Sequence, residues 1–211
     1  MHKEGLVRRC VTGLLCLLLT ACGEPGFRPL AAGETILAFG DSLTEGRGVS
    51  PAQSYPSVLA SLSGHPVING GVSGELSRAG RARLPALLAE HRPALVILLE
   101  GGNDMLRGSG EGVLKANLAA MIEVAQGSGA QVLLVAVPQF SLLAAGTGRL
   151  SDHPLYTALA KELQLPLLEG AWAEVLSNPA LRSDQVHGNA AGYALFTQQL
   201  FDFVRQQGWH W

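Results

Sequence analysis

The chain has 211 residues, of which 47% are hydrophobic and 15% are charged, and its formal net charge is −2. This length and apolar content are sufficient for one packed core, so we expect one domain. The weakly negative charge argues against a partner that is a nucleic acid.

The first segment of the chain has the pattern of an export signal. Basic residues precede an apolar run over residues 11–19, and the small residues Thr20 and Ala21 follow it. The run is far shorter than the roughly twenty apolar residues that a membrane-spanning helix needs. We therefore predict that residues 1–21 are a signal peptide.

The end of this segment, Leu19-Thr20-Ala21-Cys22, resembles the lipobox of bacterial lipoproteins. The resemblance implies that Cys22 is acylated and anchors the protein to a membrane facing the periplasm. Gly23 at the next position implies the outer membrane. The alternative is an ordinary signal peptide with a chance cysteine. Residues 22–33 have no helical or strand period and are predicted to be a tether, and residues 34–211 to be the domain.

From Thr35 onward, short apolar runs alternate with amphipathic helical patterns. Five runs predict buried parallel strands, at residues 36–39, 67–68, 95–99, 132–137 and 165–168. The alternation of strands and helices predicts βαβ units. Pro85 lies inside an apolar helical stretch and predicts a helix break or a new helix start there.

The loop after the first predicted strand contains Gly40-Asp41-Ser42-Leu43. In an open parallel sheet, ligands bind beyond the carboxyl ends of the strands, so Ser42 is a candidate nucleophile. A serine in such a turn is also a common helix cap, and the sequence around it does not exclude that role.

Three other loops supply groups that a serine nucleophile needs. Near the C-terminus, Asp184 lies three residues before His187, so its carboxylate can orient the imidazole that takes the serine proton. After the third predicted strand, Asn103 can donate to a developing oxyanion. After the second predicted strand comes Val72-Ser73-Gly74. Each loop alone could be an ordinary turn, because Asn, Asp, Ser and Gly are common in turns for conformational reasons.

The order of these motifs, GDSL, VSGE, GGND and DQVH, resembles the SGNH (GDSL) hydrolase family, and within it the bacterial periplasmic thioesterase I, lysophospholipase and arylesterase group. The resemblance implies Ser42 as nucleophile, His187 as base and Asp184 as its orienter. It also implies an oxyanion hole made of the Ser42 and Gly74 backbone N–H groups and the Asn103 amide. No metal or other cofactor is implied.

The expected fold is an α/β three-layer sandwich with a flavodoxin-like, five-stranded parallel sheet. The expected reaction is hydrolysis of small-molecule carboxylic esters such as aryl esters and lysophospholipids, and of acyl thioesters, by a monomer. Two alternatives stay open: an O-acetylesterase of envelope or other polysaccharides, and a lipid-tethered binding module without turnover. Candidate substrate-binding residues are Met105, Leu106, Phe140 and Leu142.

Two positions depart from the family pattern, and several polar residues have simpler explanations. Glu100 stands where an apolar residue is usual, and Gly188 stands where proline is usual and is expected to loosen the loop of His187. We expect Asp152 to cap a helix rather than to orient His153. Three other histidines are expected to be solvated: His65, His91 and His210. Structural hydrogen bonds are expected at the carboxylates of Asp41 and Asp104.

Overall fold

The computed structural model describes residues 28–139 and 148–208, and a parallel β-sheet runs through its centre. The predicted signal peptide, Cys22, Phe140 and Leu142 lie outside these residues, as does the C-terminal segment 209–211. Within the two described ranges, no helix has both the length and the apolar character needed to cross a bilayer.

The sheet has five parallel strands in the order β2-β1-β3-β4-β5. The strands are β1 (Ile36–Gly40), β2 (Val67–Gly71), β3 (Leu95–Leu99), β4 (Gln131–Val135) and β5 (Leu167–Leu168). The predicted strand positions are confirmed, with shifts of a few residues at their ends. Every residue of β1 and β3 is buried, because helices cover both faces of a parallel sheet.

Eight α-helices surround the sheet in the described part of the chain. They are α1 (Ser42–Glu45), α2 (Tyr55–Ser63), α3 (Ser77–His91), α4 (Gly102–Arg107), α5 (Glu111–Gly127), α6 (Pro154–Leu163), α7 (Ala171–Ser177) and α8 (Ala190–Gln206). Helix α3 packs against α5 and α5 against α6, whereas α8 packs against α2 and α7. These two helical layers enclose the sheet, so the predicted three-layer α/β sandwich is confirmed.

Helix α3 continues through Pro85, so the predicted helix break is wrong. Proline removes one backbone donor, which leaves the carbonyl of Arg81 without its usual partner in the helix. Arg81 and Pro85 are both exposed, so water can reach that carbonyl. The neighbouring Leu84 and Leu88 are buried and hold the helix against the core on either side of the proline.

The described end of the predicted tether, residues 28–33, is attached to the domain. Leu30 is buried in the core. The backbone N–H of Arg28 donates to the Gln131 side chain at 2.6 Å, and the Arg28 guanidinium pairs with Glu34. Residues 28–33 therefore do not form a free linker, because apolar burial and side-chain hydrogen bonds fix them at the amino edge of the sheet.

The strand order places a crevice between β1 and β3. Chain connections leave these two adjacent strands in opposite directions, which separates the loops that follow them at the carboxyl edge. Ser42 comes two residues after the end of β1, and Asn103 comes four residues after the end of β3. The topology therefore brings both side chains to one crevice.

Candidate active site

Ser42 is the first residue of α1, directly after the turn that leaves β1. Asp41, rather than Ser42, caps this helix, because its carboxylate accepts a hydrogen bond from the backbone N–H of Leu43 at 3.0 Å. Gly40 is required at the end of β1, because a methyl group there would collide with the backbone carbonyl of Leu99 on the neighbouring strand. The Ser42 hydroxyl is thus free of a capping role.

His187 lies in the loop between the second 3-10 helix (Pro179–Leu181) and α8. Backbone hydrogen bonds close the loop, from Ser183 N–H to the carbonyl of His187 at 2.9 Å and from Asn189 N–H to that of Leu181 at 2.9 Å. Gly188 is buried against the ring of Trp172. The expectation that Gly188 loosens this loop is wrong, since backbone pairing and packing hold it.

The structure brings Ser42, His187 and Asp184 into one hydrogen-bonded chain. The His187 Nε2 atom lies 2.9 Å from the Ser42 Oγ atom, and Nδ1 lies 2.8 Å from Asp184 Oδ2. An ionised carboxylate only accepts, so the imidazole proton stands on Nδ1 and Nε2 accepts from the serine hydroxyl. Both Ser42 and His187 are buried.

Asp184 is held as an anion. Partial burial opposes its ionisation, but hydrogen bonds from the Val186 N–H and from His187 outweigh that effect and lower the pKa of Asp184. Its Oδ1 atom also accepts from the backbone N–H of His187 at 2.9 Å. About half of the Asp184 side chain is exposed, at 51%. The charge beside the imidazole is therefore present at all pH values near neutrality.

The groups expected to form an oxyanion hole line the same cleft as Ser42 and His187. The cleft has a volume of about 280 Å³, and Gly74 and Asn103 both contribute to its wall. Ser42 begins a helix, so its backbone N–H has no acceptor within that helix. Gly74 has a φ of +75°, in the left-handed region that favours glycine.

Asp41 makes a second contact that sequence reasoning missed. Its Oδ2 atom accepts a hydrogen bond from the Asn103 side-chain amide at 3.3 Å. Burial raises the pKa of Asp41 to about 6, although the hydrogen bond from Leu43 opposes this rise. The expected structural role is present, and its partner lies 62 positions away in the sequence.

Asp104 fastens the oxyanion loop, the segment 101–104 that carries Asn103, to α3. Its carboxylate accepts from the backbone N–H and from the hydroxyl of Ser77, each at 2.7 Å. The Asn117 amide donates in turn to the Ser77 hydroxyl at 3.0 Å. These bonds match the structural role expected for Asp104, and they fix the residue that directly follows Asn103.

Glu100 is fully buried at the end of β3, below the oxyanion loop. Among the described residues, neither of its carboxylate oxygens has a hydrogen-bond partner. Burial raises the pKa of Glu100 well above its usual range, and the charges of nearby carboxylates such as Asp41 and Glu75 add to the rise. Glu75 is instead paired with Arg83 at 2.6 Å. Burial therefore favours the neutral acid form of Glu100.

The two described candidate substrate-binding residues, Met105 and Leu106, line different cavities. Leu106 lines the cleft and is 53% exposed. Met105 is not in the wall of the cleft: it is half-buried, packs on the core and lines a neighbouring cavity with Leu114 and His153. Successive helical residues point about 100° apart, so one of the two side chains faces away from the cleft. Phe140 and Leu142 lie outside the described residues.

Two other described histidines, His65 and His153, have structural partners. His153, not Asp152, caps α6, because its Nδ1 atom accepts from the Leu155 N–H at 3.2 Å, whereas Asp152 accepts from the Gly170 N–H. His65 is buried and its Nδ1 atom lies 3.0 Å from the carbonyl oxygen of Glu34, so its predicted solvation is wrong. In the part of the chain that the structure covers, no cluster of His, Cys, Asp and Glu has the arrangement of a metal site.

Comparisons with known proteins identify the family of this chain. The GDSL-like Lipase/Acylhydrolase family matches residues 38–195. The Thioesterase 1/protease 1/lysophospholipase L1 of Escherichia coli K12 is 35% identical over 195 residues, covering 90% of this chain and 88% of that enzyme. Esterase TesA of Pseudomonas aeruginosa is 42% identical over 112 residues, which is 51% of this chain and 56% of that protein.

The fold has solved relatives as well. The crystal structure of TesA superimposes with a TM-score of 0.73 at 29% sequence identity, covering 82% of this chain and 99% of that one.

Proposed function

Because the chain belongs to the GDSL-like lipase/acylhydrolase family and is a carboxylic ester hydrolase, we propose that Ser42, His187 and Asp184 are its catalytic residues. The observation that carries this assignment is the continuous hydrogen-bonded chain from the Ser42 hydroxyl through the imidazole to Asp184. This order of hydroxyl, imidazole and carboxylate supports the assignment, because acyl transfer needs a nucleophile, a base and a group that orients the base.

In the first half of the reaction, the Ser42 Oγ atom attacks the carbonyl carbon while His187 Nε2 takes the hydroxyl proton. The carbonyl oxygen becomes an oxyanion, and the imidazole becomes an imidazolium that the Asp184 anion stabilises. The bond to the leaving group then breaks, and the leaving oxygen or sulfur receives the proton from Nε2. An acyl group remains on Ser42.

In the second half, a water molecule attacks the acyl carbon and gives its proton to the same Nε2 atom. The tetrahedral intermediate collapses, the bond to the Ser42 Oγ atom breaks, and the proton returns to the serine. The products are the carboxylic acid and the free enzyme.

The oxyanion is stabilised by three donors in this proposal. The Ser42 and Gly74 backbone N–H groups and the Asn103 side-chain amide border the cleft, where preorganised donors stabilise a developing negative charge more than water does. Asn103 is held by Asp41 before substrate binds. This fixed position supports its assignment as a donor.

The proposed substrates are acyl esters and acyl thioesters of small molecules, including aryl esters and lysophospholipids. The E. coli relative is named as a thioesterase and a lysophospholipase. The cleft of about 280 Å³ has Leu106 and Val137 in its wall, which supports binding of an apolar acyl group.

A fluorophosphonate probe tests the nucleophile directly, because it reacts with an activated serine. We expect one labelled site at Ser42 in the folded protein, and neither labelling nor ester hydrolysis in S42A. Ser73 is the matched control: it lies in the same cleft, but its hydroxyl is bound to Glu45 rather than to the imidazole. S73A should keep its labelling. Ester hydrolysis by S42A would overturn the assignment, and an unlabelled Ser42 would favour the binding module.

We also propose that the chain is exported and anchored to the outer membrane through an acylated Cys22. The proposal rests on the signal-peptide pattern of residues 1–21 and on the lipobox-like Leu19–Cys22. Mass spectrometry of protein extracted from membranes should show lipid on Cys22. C22S should release the protein from the membrane fraction, and C16S is the matched control. A mature form that starts at another residue would contradict the anchor.

A further inference from the structure

Two arginines flank the catalytic cleft on the side of Gly74. A depression of about 320 Å³ lies beside the cleft, and Arg78 and Arg107 line it. The depression and the cleft share Ser73 and Gly74 in their walls. A methyl group on Gly74 would lie 3.5 Å from the Arg107 Nη2 atom, so this guanidinium is close to a proposed oxyanion donor.

Both guanidinium groups are available to a ligand. Arg78 and Arg107 are exposed, and neither takes part in an ion pair with any residue in the described ranges. Glu75, the carboxylate in the wall of the same depression, is buried and paired with Arg83 through hydrogen bonds of 2.6–2.9 Å. The nearby Glu45 carboxylate accepts from the Ser73 hydroxyl instead of pairing with either arginine. The depression therefore presents two guanidinium groups that form no ion pair with a described carboxylate.

The chemistry of this site favours phosphate. A guanidinium donates two parallel hydrogen bonds to phosphate oxygens, and arginine is common where a protein binds that group. An uncharged acyl ester gains nothing from such a site. The depression adjoins the cleft, so a phosphate on the substrate can occupy it while the carbonyl lies near Ser42.

We propose that Arg78 and Arg107 form a subsite for a phosphate group of the substrate, which selects phosphate-bearing esters and thioesters over neutral ones. This inference rests on the proposed function of the adjacent cleft. The phosphate has two chemical sources, the headgroup of a lysophospholipid and the nucleotide portion of a coenzyme A thioester.

Matched substrate pairs test the proposal. The first pair is an acyl-coenzyme A and the N-acetylcysteamine thioester of the same short acyl chain, and the second is a lysophosphatidylcholine and the monoacylglycerol of the same chain. In R78Q/R107Q we expect kcat/KM for the phosphate-bearing member to fall at least about tenfold, because charge-assisted hydrogen bonds are lost. Hydrolysis of the neutral member should change by less than about threefold.

Arg92 provides the control, because it is an exposed arginine after α3 at the opposite edge of the sheet. R92Q should behave as wild type with all four substrates. A selective loss in one pair identifies the source of the phosphate. Equal losses within both pairs, or no loss in either, would overturn the subsite.

A binding measurement separates this proposal from the catalytic one. S42A should bind coenzyme A in calorimetry, and S42A/R78Q/R107Q should bind it at least about tenfold more weakly. Unchanged affinity would overturn the subsite while leaving the catalytic assignment intact. Hydrolysis by S42A would overturn the catalytic assignment without affecting this binding result.

Discussion

The carboxyl group of Asp41 connects the helix that carries Ser42 to the side chain of Asn103. One oxygen accepts from the Leu43 N–H at 3.0 Å, and the other accepts from the Asn103 amide at 3.3 Å. A buried side chain between the nucleophile and an oxyanion donor fixes their relative positions. Asp41 thus acts as a positioning residue in the proposed mechanism.

The contact between Asp41 and Asn103 predicts that the effects of D41N and N103A on kcat are not additive. N103A should lower kcat about 10²- to 10³-fold, the usual cost of losing one oxyanion donor. D41N alone should lower kcat about 10- to 100-fold, because an asparagine at position 41 no longer presents a full acceptor pair and misplaces the amide. In the N103A background, D41N should cost less than about threefold. Steady-state kinetics on one aryl ester checks this, and additive effects would show that Asp41 acts elsewhere.

Replacing Asp184 by asparagine should lower kcat about 10³- to 10⁴-fold. The variant lacks the negative charge that stabilises the imidazolium, and the Nδ1 proton of His187 loses its preferred hydrogen-bond acceptor. The control is D152N, which changes another carboxylate that stands beside a histidine but accepts from the Gly170 N–H. Its kcat should stay within about twofold of wild type. Comparable losses of kcat in D184N and D152N would contradict the assignment of Asp184 as the residue that orients His187.

Glu100 predicts a pH dependence of stability. Its raised pKa means that the folded protein keeps a proton that the unfolded chain releases above its usual value of 4.5. The free energy of unfolding therefore falls as pH rises above that value, and E100Q should lack this fall. The stability of E100Q minus that of wild type should increase as the pH rises above 4.5, as measured by urea unfolding.

A second variant, E100L, tests the free-energy cost of burying the Glu100 carboxyl group. E100L removes a buried polar group without a partner, and we expect it to raise the free energy of unfolding at pH 8 by about 1–3 kcal/mol. If wild type and both variants showed parallel pH dependences, Glu100 would be ionised in the folded protein.

Substitutions at Leu106 and Met105 should have different effects, one on substrate preference and the other on stability. L106A should lower kcat/KM for long acyl esters up to about tenfold relative to acetate, because less apolar surface is buried against the chain. M105A should leave this ratio unchanged and lower the free energy of unfolding by about 1–3 kcal/mol through lost core packing. A p-nitrophenyl ester series and urea unfolding measure the two effects, and a shifted ester preference in M105A would contradict the placement of Met105.

Features set by local pattern were predictable from the sequence. The apolar runs gave the five strands, and the position of Ser42 after β1 followed from the rule that parallel strands end at one edge. The spacing of Asp184 and His187 indicated that their side chains are in contact, because two residues three positions apart in one loop can reach each other. For these elements, neighbouring residues carry the needed information.

Other features depend on contacts across the fold. The partner of Asp41 is 62 positions away, and nothing near Asp41 indicates it. The burial of Glu100 follows from packing below the oxyanion loop, and the continuity of α3 at Pro85 depends on which face meets solvent. His153 caps α6 in place of Asp152 because the Asp152 side chain turns to Gly170 instead. Sequence patterns do not encode these choices locally.

The docking of Arg28 beside Gln131 determines which way the enzyme faces when it is held at a surface. Gln131 begins β4, whereas Ser42 follows the end of β1, so attachment and chemistry lie at opposite ends of the strands. With Cys22 acylated as proposed, the six residue-to-residue steps from Cys22 to Arg28 span at most about 20 Å. The catalytic opening would then point away from the lipid layer that holds the protein, toward molecules arriving from the periplasm.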